Sequence, residues 1–570
     1  MDVTSLRAVV QELKLVLVPS RFERAQQPGP QTLQLGWRTL EGLLWLELSW
    51  QADCPRLVRV ASPQRLGENS TLAQQLQHGL RQMALVDLEQ PGFERVVQFG
   101  LAPRLGQPIE RCLVLELMGR HSNLLLLDRR KHIIAIGRRV REHQSRIRPM
   151  GTGDIYVPPP PLKGLVPNIE ETVTRWRARL ELLPVNLCQS LQQTYQGISP
   201  SLALQLAGED KAAALDLLET PVTDLRHDQW QYLYLRWLGW LHYWQHGRFR
   251  IDCGGPTPYR VWLATEDEAN VATSGVHGIA LALGDYYRRE LNDRALLQQA
   301  KNMKQKLCRL QEKEEKACYE QKQRLEATEK ANSLQQRADA LLCIMRPSRE
   351  EIDTAQALYR QARRLRRAVA ALEGRLQYHH GRLRLIQDSY SFLEGLMSAE
   401  WEDSGQRLKQ LQDLHEELGR LVGQVVRSKH HCKSGQKTIG TPSPLELRTK
   451  SGLRLQVGRN HRQNDWISLR QARSGDLWFH AQECSGSHVV LKTSEGLAQD
   501  DDLQLAADLA AYFSRARGNV QVPVVVVPTE HLQRITGGAP GTVRHHGGSV
   551  CWGEPDRGQK HLCRVVSLAS

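Results

Sequence analysis

Residues 473–492 read RSGDLWFHAQECSGSHVVLK, and GRNHRQNDW at 458–466 precedes them closely. Leu477, Trp478, Phe479 and His480 alternate with the period of a β-strand, so one pair faces a core and the other can offer a flat face to a base. Val489, Val490 and Leu491 read as a second short strand. Between the two, Ser485, Gly486 and Ser487 form a turn whose backbone N–H groups suit a phosphate, with Arg459, Arg462 and Lys492 as cations. The same residues also suit the interior of a self-satisfied β-domain. Spacing leaves both readings open.

Downstream, DLQLAADLAAYFSRARG reads as a helix with small residues on one face, VQVPVVVVP at 520–528 as a buried strand, and GGAPGTVRHH at 537–546 as a loop. Upstream, from Asp285, the chain reads as a long helical hairpin. Its second arm repeats Leu365, Val369, Leu372, Leu376, His379, Leu383, Ile386, Tyr390, Leu393 and Met397 in a four-three rhythm, the seam of a coiled coil. The first arm, 295–343, has Leu307, Leu310, Leu325, Leu334, Ala338 and Leu341 as its best seam positions. Pro347 and Ser348 mark the turn between arms. Off the seam, Arg360, Arg363, Arg364, Arg366 and Arg367 form a dense basic face suited to phosphate.

Residues 165–245 read as helical. GISPS at 197–201 has the form of a helix–turn–helix junction in which glycine turns the chain and serine caps the next helix. Trp230, Tyr234, Trp237, Leu241 and Trp244 make one stripe, expected to be core. The proline run at 158–161 marks a boundary. Before it come an amphipathic first helix, strands at 32–37, 43–50, 57–61, 113–118, 123–128 and 132–137, and helical spacing over 71–85. Glu94 and Arg95 stand at the mouth of an apolar strand, and Arg120, His121, Ser122 and Asn123 form a hairpin turn with four polar side chains. Asp2 lies at the start.

A chain of 570 residues predicts several domains. A formal net charge of +14 favours a polyanionic partner. The 11 cysteines form no C-x-x-C pair, so neither zinc ribbon nor redox motif is offered, and a reducing compartment is expected. His430, His431 and Cys432 read as a solvated loop. No uninterrupted apolar run of membrane-spanning length occurs, and the first helix carries charges unlike a signal peptide. No G-x-x-x-x-G-K-[ST], G-x-S-x-G or H-E-x-x-H motif is present, so NTPase, serine hydrolase and zincin chemistry are not offered.

Gly458, Arg459, Asn460, Gln463, Asn464 and Asp465, then Asp476 to His480, then Gly486 to Leu491 resemble the RNA-binding module of the NFACT family, the group of the RqcH, NEMF and FbpA-type proteins. Ser485 replaces the family's usual proline. Gly538, Ala539, Pro540, Gly541, Thr542 and Val543 resemble the family's G-A-x-P-G-x-V segment, and Met118 to Asn123 its M-G-(R/K)-x-S-N turn. Glu94-Arg95 stands where the family has Asp-Arg.

The resemblance implies a multidomain α+β fold: an N-terminal mixed domain with antiparallel strands (1–160), a helix-hairpin-helix-like domain (165–250), an antiparallel coiled-coil hairpin with flanking helices (285–430) and an α+β RNA-binding module (445–570). It implies a cytoplasmic, cofactor-free and metal-free ribosome quality-control factor. Such a factor binds large subunits carrying peptidyl-tRNA and recruits charged tRNA, alanyl-tRNA being the expected species. The stalled chain is tailed without mRNA, and the ribosome forms the bonds. A small basic RNA-binding helper is a further implied partner. Implied tRNA contacts are Asp2, Glu94, Arg95, Arg120, His121, Ser122 and Asn123. Implied RNA contacts are Arg363, Arg364, Arg366, Arg367, Arg459, Asn460, Asn464, Asp465, Trp478, His480, Gly486, Ser487 and His488. Three alternatives stand beside this: a stalled-ribosome sensor without tailing, a surface adhesin, and a DNA glycosylase-like enzyme, for which Met1-Asp2 lacks the usual terminal proline.

Overall fold

The computed structural model describes all residues except 66–69, 146, 253–255, 263–277, 329, 422–440, 536–539 and 570. His430, His431, Cys432, Gly538 and Ala539 therefore lie outside the described residues. The fold is mixed α+β in two units, Met1–Arg288 and Arg289–Ser570.

In the first unit, α1 (Val3–Leu17) is capped by the Asp2 carboxylate, which accepts the Ser5 N–H at 2.8 Å. Strands β1 (Ser20–Gly29), β2 (Thr32–Thr39), β3 (Gly42–Ser49) and β4 (Arg56–Val60) form one antiparallel meander. After α2 (Thr71–Gly79), a second meander runs through β5 (Ala84–Glu89), β6 (Val96–Ala102), β7 (Arg111–Glu116), β8 (Asn123–Asp128) and β9 (Ile133–Ile136). The two meet where Ser20 lies opposite Leu85 and Arg21 opposite Ala84, with the Phe22 N–H donating to the Met83 carbonyl at 3.0 Å, which closes a nine-stranded sheet. The helix expected over 71–85 ends at Gly79. Gln82 turns the chain at φ 66°, and Leu85 and Leu88 are then buried as strand residues, so the demand of the sheet overrides helical spacing.

Glu116, at the end of β7, is fully buried. It accepts from Arg148 Nη1 at 3.1 Å and Nη2 at 2.5 Å, and from the Tyr156 hydroxyl at 3.0 Å.

Five helices follow: α3 (Val173–Leu180), α4 (Leu187–Thr194), α5 (Pro200–Ala207), α6 (Lys211–Glu219) and α7 (His227–His246). Between α4 and α5, Gly197 has φ 79° and Ser199 Oγ accepts the Leu202 N–H at 3.1 Å, with Pro200 at the first helical position. Trp230, Trp237 and Leu241 are buried with Trp176 and Trp240, as the stripe predicts. Val3 and Phe93 belong to the same cluster, and the Trp240 indole donates to Thr4 Oγ1 at 2.8 Å. Sheet domain and helical segment thus share one core.

The second unit takes most of α8 (Ile279–Thr328), then α9 (Lys330–Leu342), α10 (Arg349–Ser398) and α11 (Ser404–Leu421). Ser348 and Glu351 form a capping box that starts α10 at the expected turn. Leu307, Leu310, Ala338, Leu372, Ile386 and Leu393 are buried in the seam. His379 does not sit there as a hydrophobe: its Nδ1 meets buried Glu314 Oε2 at 2.7 Å, and Arg382 Nε donates to Glu314 Oε1 at 2.7 Å.

The C-terminal module builds a six-stranded antiparallel sheet from β10 (Leu445–Arg448), β11 (Arg454–Val457), β12 (Leu477–Ala481), β13 (Val489–Leu491), β14 (Val522–Pro528) and a last edge strand at Ser549–Gly553. The short helix α12 (His461–Asp465) precedes β12, and α13 (Asp500–Tyr512) covers one sheet face through Ala506, Ala507, Ala510 and Ala511. The hairpin β15 (Leu532–Arg534) and β16 (Val543–His545) leads to that edge strand, β17, and α14 (Pro555–Ala569) closes the chain. Among the described residues no helix is long and apolar enough to cross a membrane.

Candidate nucleic-acid interface

At one end of the nine-stranded sheet, the Leu117 N–H donates to the Arg95 carbonyl at 2.9 Å, directly before the turn at Met118–Ser122. This brings Glu94-Arg95 beside the turn. Asp2 acts on the same arginine: burial pulls the Arg95 guanidinium below its usual range, and the carboxylates of Asp2 and then Glu94 oppose that pull. Gln90 Nε2 ties the assembly, donating to the Val3 carbonyl at 3.3 Å and the Glu94 carbonyl at 2.9 Å. Burial raises the Glu94 carboxyl, which also accepts the Leu162 N–H at 3.3 Å. Three pieces remote in sequence therefore converge.

The turn itself corrects one expectation. Ser122 Oγ accepts the Met118 N–H at 2.8 Å. Asn123 Oδ1 accepts from Leu124 and Arg138 N–H at 3.0 and 2.9 Å, while its Nδ2 donates to the Arg138 carbonyl at 2.8 Å. Both residues are buried and build the turn instead of facing a ligand. Of the four, Arg120 and His121 are the exposed pair, with Arg120 Nε donating to His121 Nε2 at 3.2 Å.

On α10, Arg360, Arg363, Arg364, Arg366 and Arg367 are all exposed. Arg366 donates to Asn332 Oδ1 at 3.2 Å and to Gln335, and Arg360 to the Gln356 carbonyl at 3.3 Å. Among the described residues no carboxylate is paired with Arg363, Arg364, Arg366 or Arg367. Five like charges held this way repel one another, and an external polyanion relieves them.

The C-terminal motif carries the largest corrections. Arg459 is half of a nearly enclosed ion pair with Glu402, at 2.6 and 3.2 Å, and Lys492 is buried against Asp476 at 3.0 Å. Neither is a free cation. The Ser487 N–H goes to the Phe513 carbonyl at 3.0 Å and the Arg515 N–H to the Ser485 carbonyl at 2.8 Å, so the turn at Gly486 is clasped to the chain after α13 and is no open cradle. Asn460 caps α12, accepting the Gln463 N–H at 2.8 Å. Asn464 Oδ1 accepts the His488 N–H at 3.1 Å, and Asp465 holds Arg534 at 2.5 Å.

Trp478 is 3% exposed and packs with Ile467, Val490, Val527 and Leu532 in a second small core, so it offers no open face. His480 lies stacked on it, half-buried, with centroids 5.4 Å apart, and buried His488 bonds Ser468 Oγ at 2.8 Å. Burial drives His480 down to about 4 and His488 well below its usual value, so both are neutral near pH 7. The exposed aromatic of this module is Trp552 on β17, 56% exposed beside Val550. Sequence reasoning missed it because Cys551 separates two apolar residues in a strand too short to show a rhythm.

Residues 2–351 match the NFACT N-terminal and middle domains and residues 445–547 the NFACT protein RNA binding domain. The chain is 25% identical over 576 residues to the Rqc2 homolog RqcH of Streptococcus suis, covering 95% of this chain and 96% of that protein. It is 25% identical over 501 residues to the Rqc2 homolog RqcH of Bacillus subtilis, covering 82% of each. Among solved structures, the C-terminal part of the fibronectin/fibrinogen-binding protein of S. suis matches at 26% identity and TM-score 0.39, covering 47% of this chain and 98% of that one. With the first of the two domain matches spanning more than half of its length, the chain belongs to the NFACT family.

Proposed function

We propose that this protein is a ribosome quality-control factor that binds obstructed large subunits carrying peptidyl-tRNA and recruits charged tRNA for C-terminal tailing without mRNA. The observation that carries the reading is colinear similarity over 95% of the chain to a relative named Rqc2 homolog RqcH, in a protein that matches the family's RNA-binding domain. Bond formation is left to the ribosome, so the protein acts by positioning and is not itself an enzyme.

In this reading the arginine face of α10 and the Trp552 edge are anchors, the first by charge and the second by stacking. Replacing Arg363, Arg364, Arg366 and Arg367 with glutamine is expected to weaken co-sedimentation with large subunits and to flatten its logarithmic salt slope by roughly 3, at about 0.7–0.9 per lost contact. Trp552→Ala is expected to weaken binding with the salt slope retained. Co-sedimentation unchanged in both variants across a salt series would remove the assignment of these surfaces.

Arg95 is assigned to tRNA. Arg95→Ala is expected to retain large subunits but to lose tRNA and shorten or abolish tails, since one arginine contact is worth roughly 1–3 kcal/mol, too little to detach a many-contact complex. Normal tRNA occupancy and tails in this variant would show the site misassigned. A sensor without tailing is the second reading, favoured by one observation: the longer Glu94 carboxylate turns to the Leu162 N–H. A parent protein that binds subunits and adds no tail would select it.

A further inference from the structure

Where the two meanders of the first unit join, the sheet has a notch. β1 and β5 pair over the short stretch Ser20–Leu85 and Arg21–Ala84, ending with the Phe22 N–H on the Met83 carbonyl at 3.0 Å, and β6 ends beside them with Ala102 opposite Ala84. The opening is about 560 Å³ and is lined by Pro19, Ser20, Arg21, Gln82, Ala84, Pro103 and Arg104, with no carboxylate among them.

Three features make this opening receptive to an anion. Arg21 and Arg104 are exposed and neither has an ion-pair partner among the described residues. That contrasts with their surroundings, where Lys14 is paired with Asp87 and Arg38, directly across the ladder from Arg21, with Glu23. Like charges opposite each other on a ladder destabilise it, and Glu23 relieves only Arg38. The third feature is Ser20, which is buried and whose Oγ has no hydrogen-bond partner. A buried hydroxyl left unsatisfied at the wall of a cationic notch has a donor to give.

We propose that the notch holds a phosphate of a polyribonucleotide backbone, with Arg21 and Arg104 as its cations and Ser20 Oγ as a donor. The assignment rests on the RNA-binding reading above and adds a contact point to it. α1 has 15 residues and, at about 1.5 Å per residue, carries the chain some 22 Å from Asp2 to the notch. β6 runs the same way, from Arg95 at its start to Arg104 just past its end. A polyanion held at Arg95 therefore meets a second fixed cation pair at the far end of the same layer. The geometry suits an extended ligand with repeating charge.

Full-length parent, Arg21→Gln/Arg104→Gln and Ser20→Ala proteins test this. Two measurements are made: thermal unfolding in inorganic phosphate against chloride at matched ionic strength, and affinity for bulk tRNA across a salt series. The parent is expected to gain thermal stability in phosphate and both variants to lose that gain, with unfolding in chloride unchanged or slightly raised, since Arg21→Gln removes repulsion toward Arg38 and Ser20→Ala removes a buried hydroxyl without a partner. The double variant is expected to lower the logarithmic salt slope for tRNA by about 1.5. Phosphate protection lost with the tRNA slope retained would identify a free-anion site and overturn the backbone assignment. Phosphate protection retained in the double variant would overturn the notch altogether. A parent that binds no RNA would defeat the functional reading as well, which separates the two failures.

Discussion

Glu417→Gln is expected to stabilise the second unit by about 2 kcal/mol at pH 8 and to give no gain below about pH 4. Glu417 on α11 accepts the Arg462 N–H at 2.7 Å through one oxygen, and its other oxygen is buried without a partner. Burial lifts the carboxyl to about 7, against the opposing pull of the Arg462 N–H and charge. A folded-state value above the unfolded one means that the folded chain holds the proton more tightly. The stability from that proton is complete below about pH 4.3 and is lost as pH rises through 7, a cost of about 3 kcal/mol in the alkaline limit. Glutamine keeps the acceptor for Arg462, while its new amide donor, left without a partner, costs about 1 kcal/mol. Buried His461 and half-buried His480, both pushed down to about 4 by burial, act with the opposite sign: their stability is present above pH 6.5 and lost as pH falls through 4. The variant should therefore show a steeper acid limb than the parent. Urea midpoints at pH 5 and pH 8 check this, and a variant less stable than the parent at pH 8 would sink it.

Arg148→Met is expected to cost the first unit about 3–5 kcal/mol, because it strands the Glu116 carboxylate in a buried site with only the Tyr156 hydroxyl beside it. The double change Glu116→Leu with Arg148→Met should recover most of that loss, since replacing both members of a buried pair is often near neutral. A double variant as unstable as the single one would mean that Arg148 acts through packing and not through charge. The effect reaches function by a short path: Glu116 pairs with Asn123 across the β7–β8 ladder, at the base of the turn that carries Arg120 and His121.

Much of the fold was legible. The apolar runs at 43–50, 113–118 and 123–128 became strands because an apolar strand bounded by turn residues has few other places to go. β1 was not legible: it holds a near-central place in the sheet, yet reads SRFERAQQPG, with buried Gln26 donating through Nε2 to Gln34 Oε1 at 2.9 Å instead of packing as an apolar residue. The seam of α10 was legible from its rhythm, whereas the partner of His379 was not, since Glu314 lies on the other arm.

The candidate site divides similarly. Asp2, Arg95 and the Arg120 turn could be grouped by motif; the β6–β7 register brings Arg95 to the turn, and Gln90 ties the start of α1, which Asp2 caps, to Glu94. At the C-terminal motif, the sequence showed which residues are special but not why. Arg459, Asn460, Asn464, Asp476, Lys492 and His488 are largely occupied with one another and with Glu402 and Ser468, and a motif built from polar residues looks the same whether they turn outward or inward.

The polar contact inside the coiled coil bears on measurement of distance. Slide one arm past the other by a heptad and Leu still meets Leu, but Glu314 is left charged and alone, an error that costs several kcal/mol. His379 and Arg382 therefore act as the zero mark of a ruler. From that mark Arg367 lies about 18 Å along α10, at about 1.5 Å per residue. Whatever polyanion the arginines meet, it meets them at a graduation that thermal slippage of the arms does not blur.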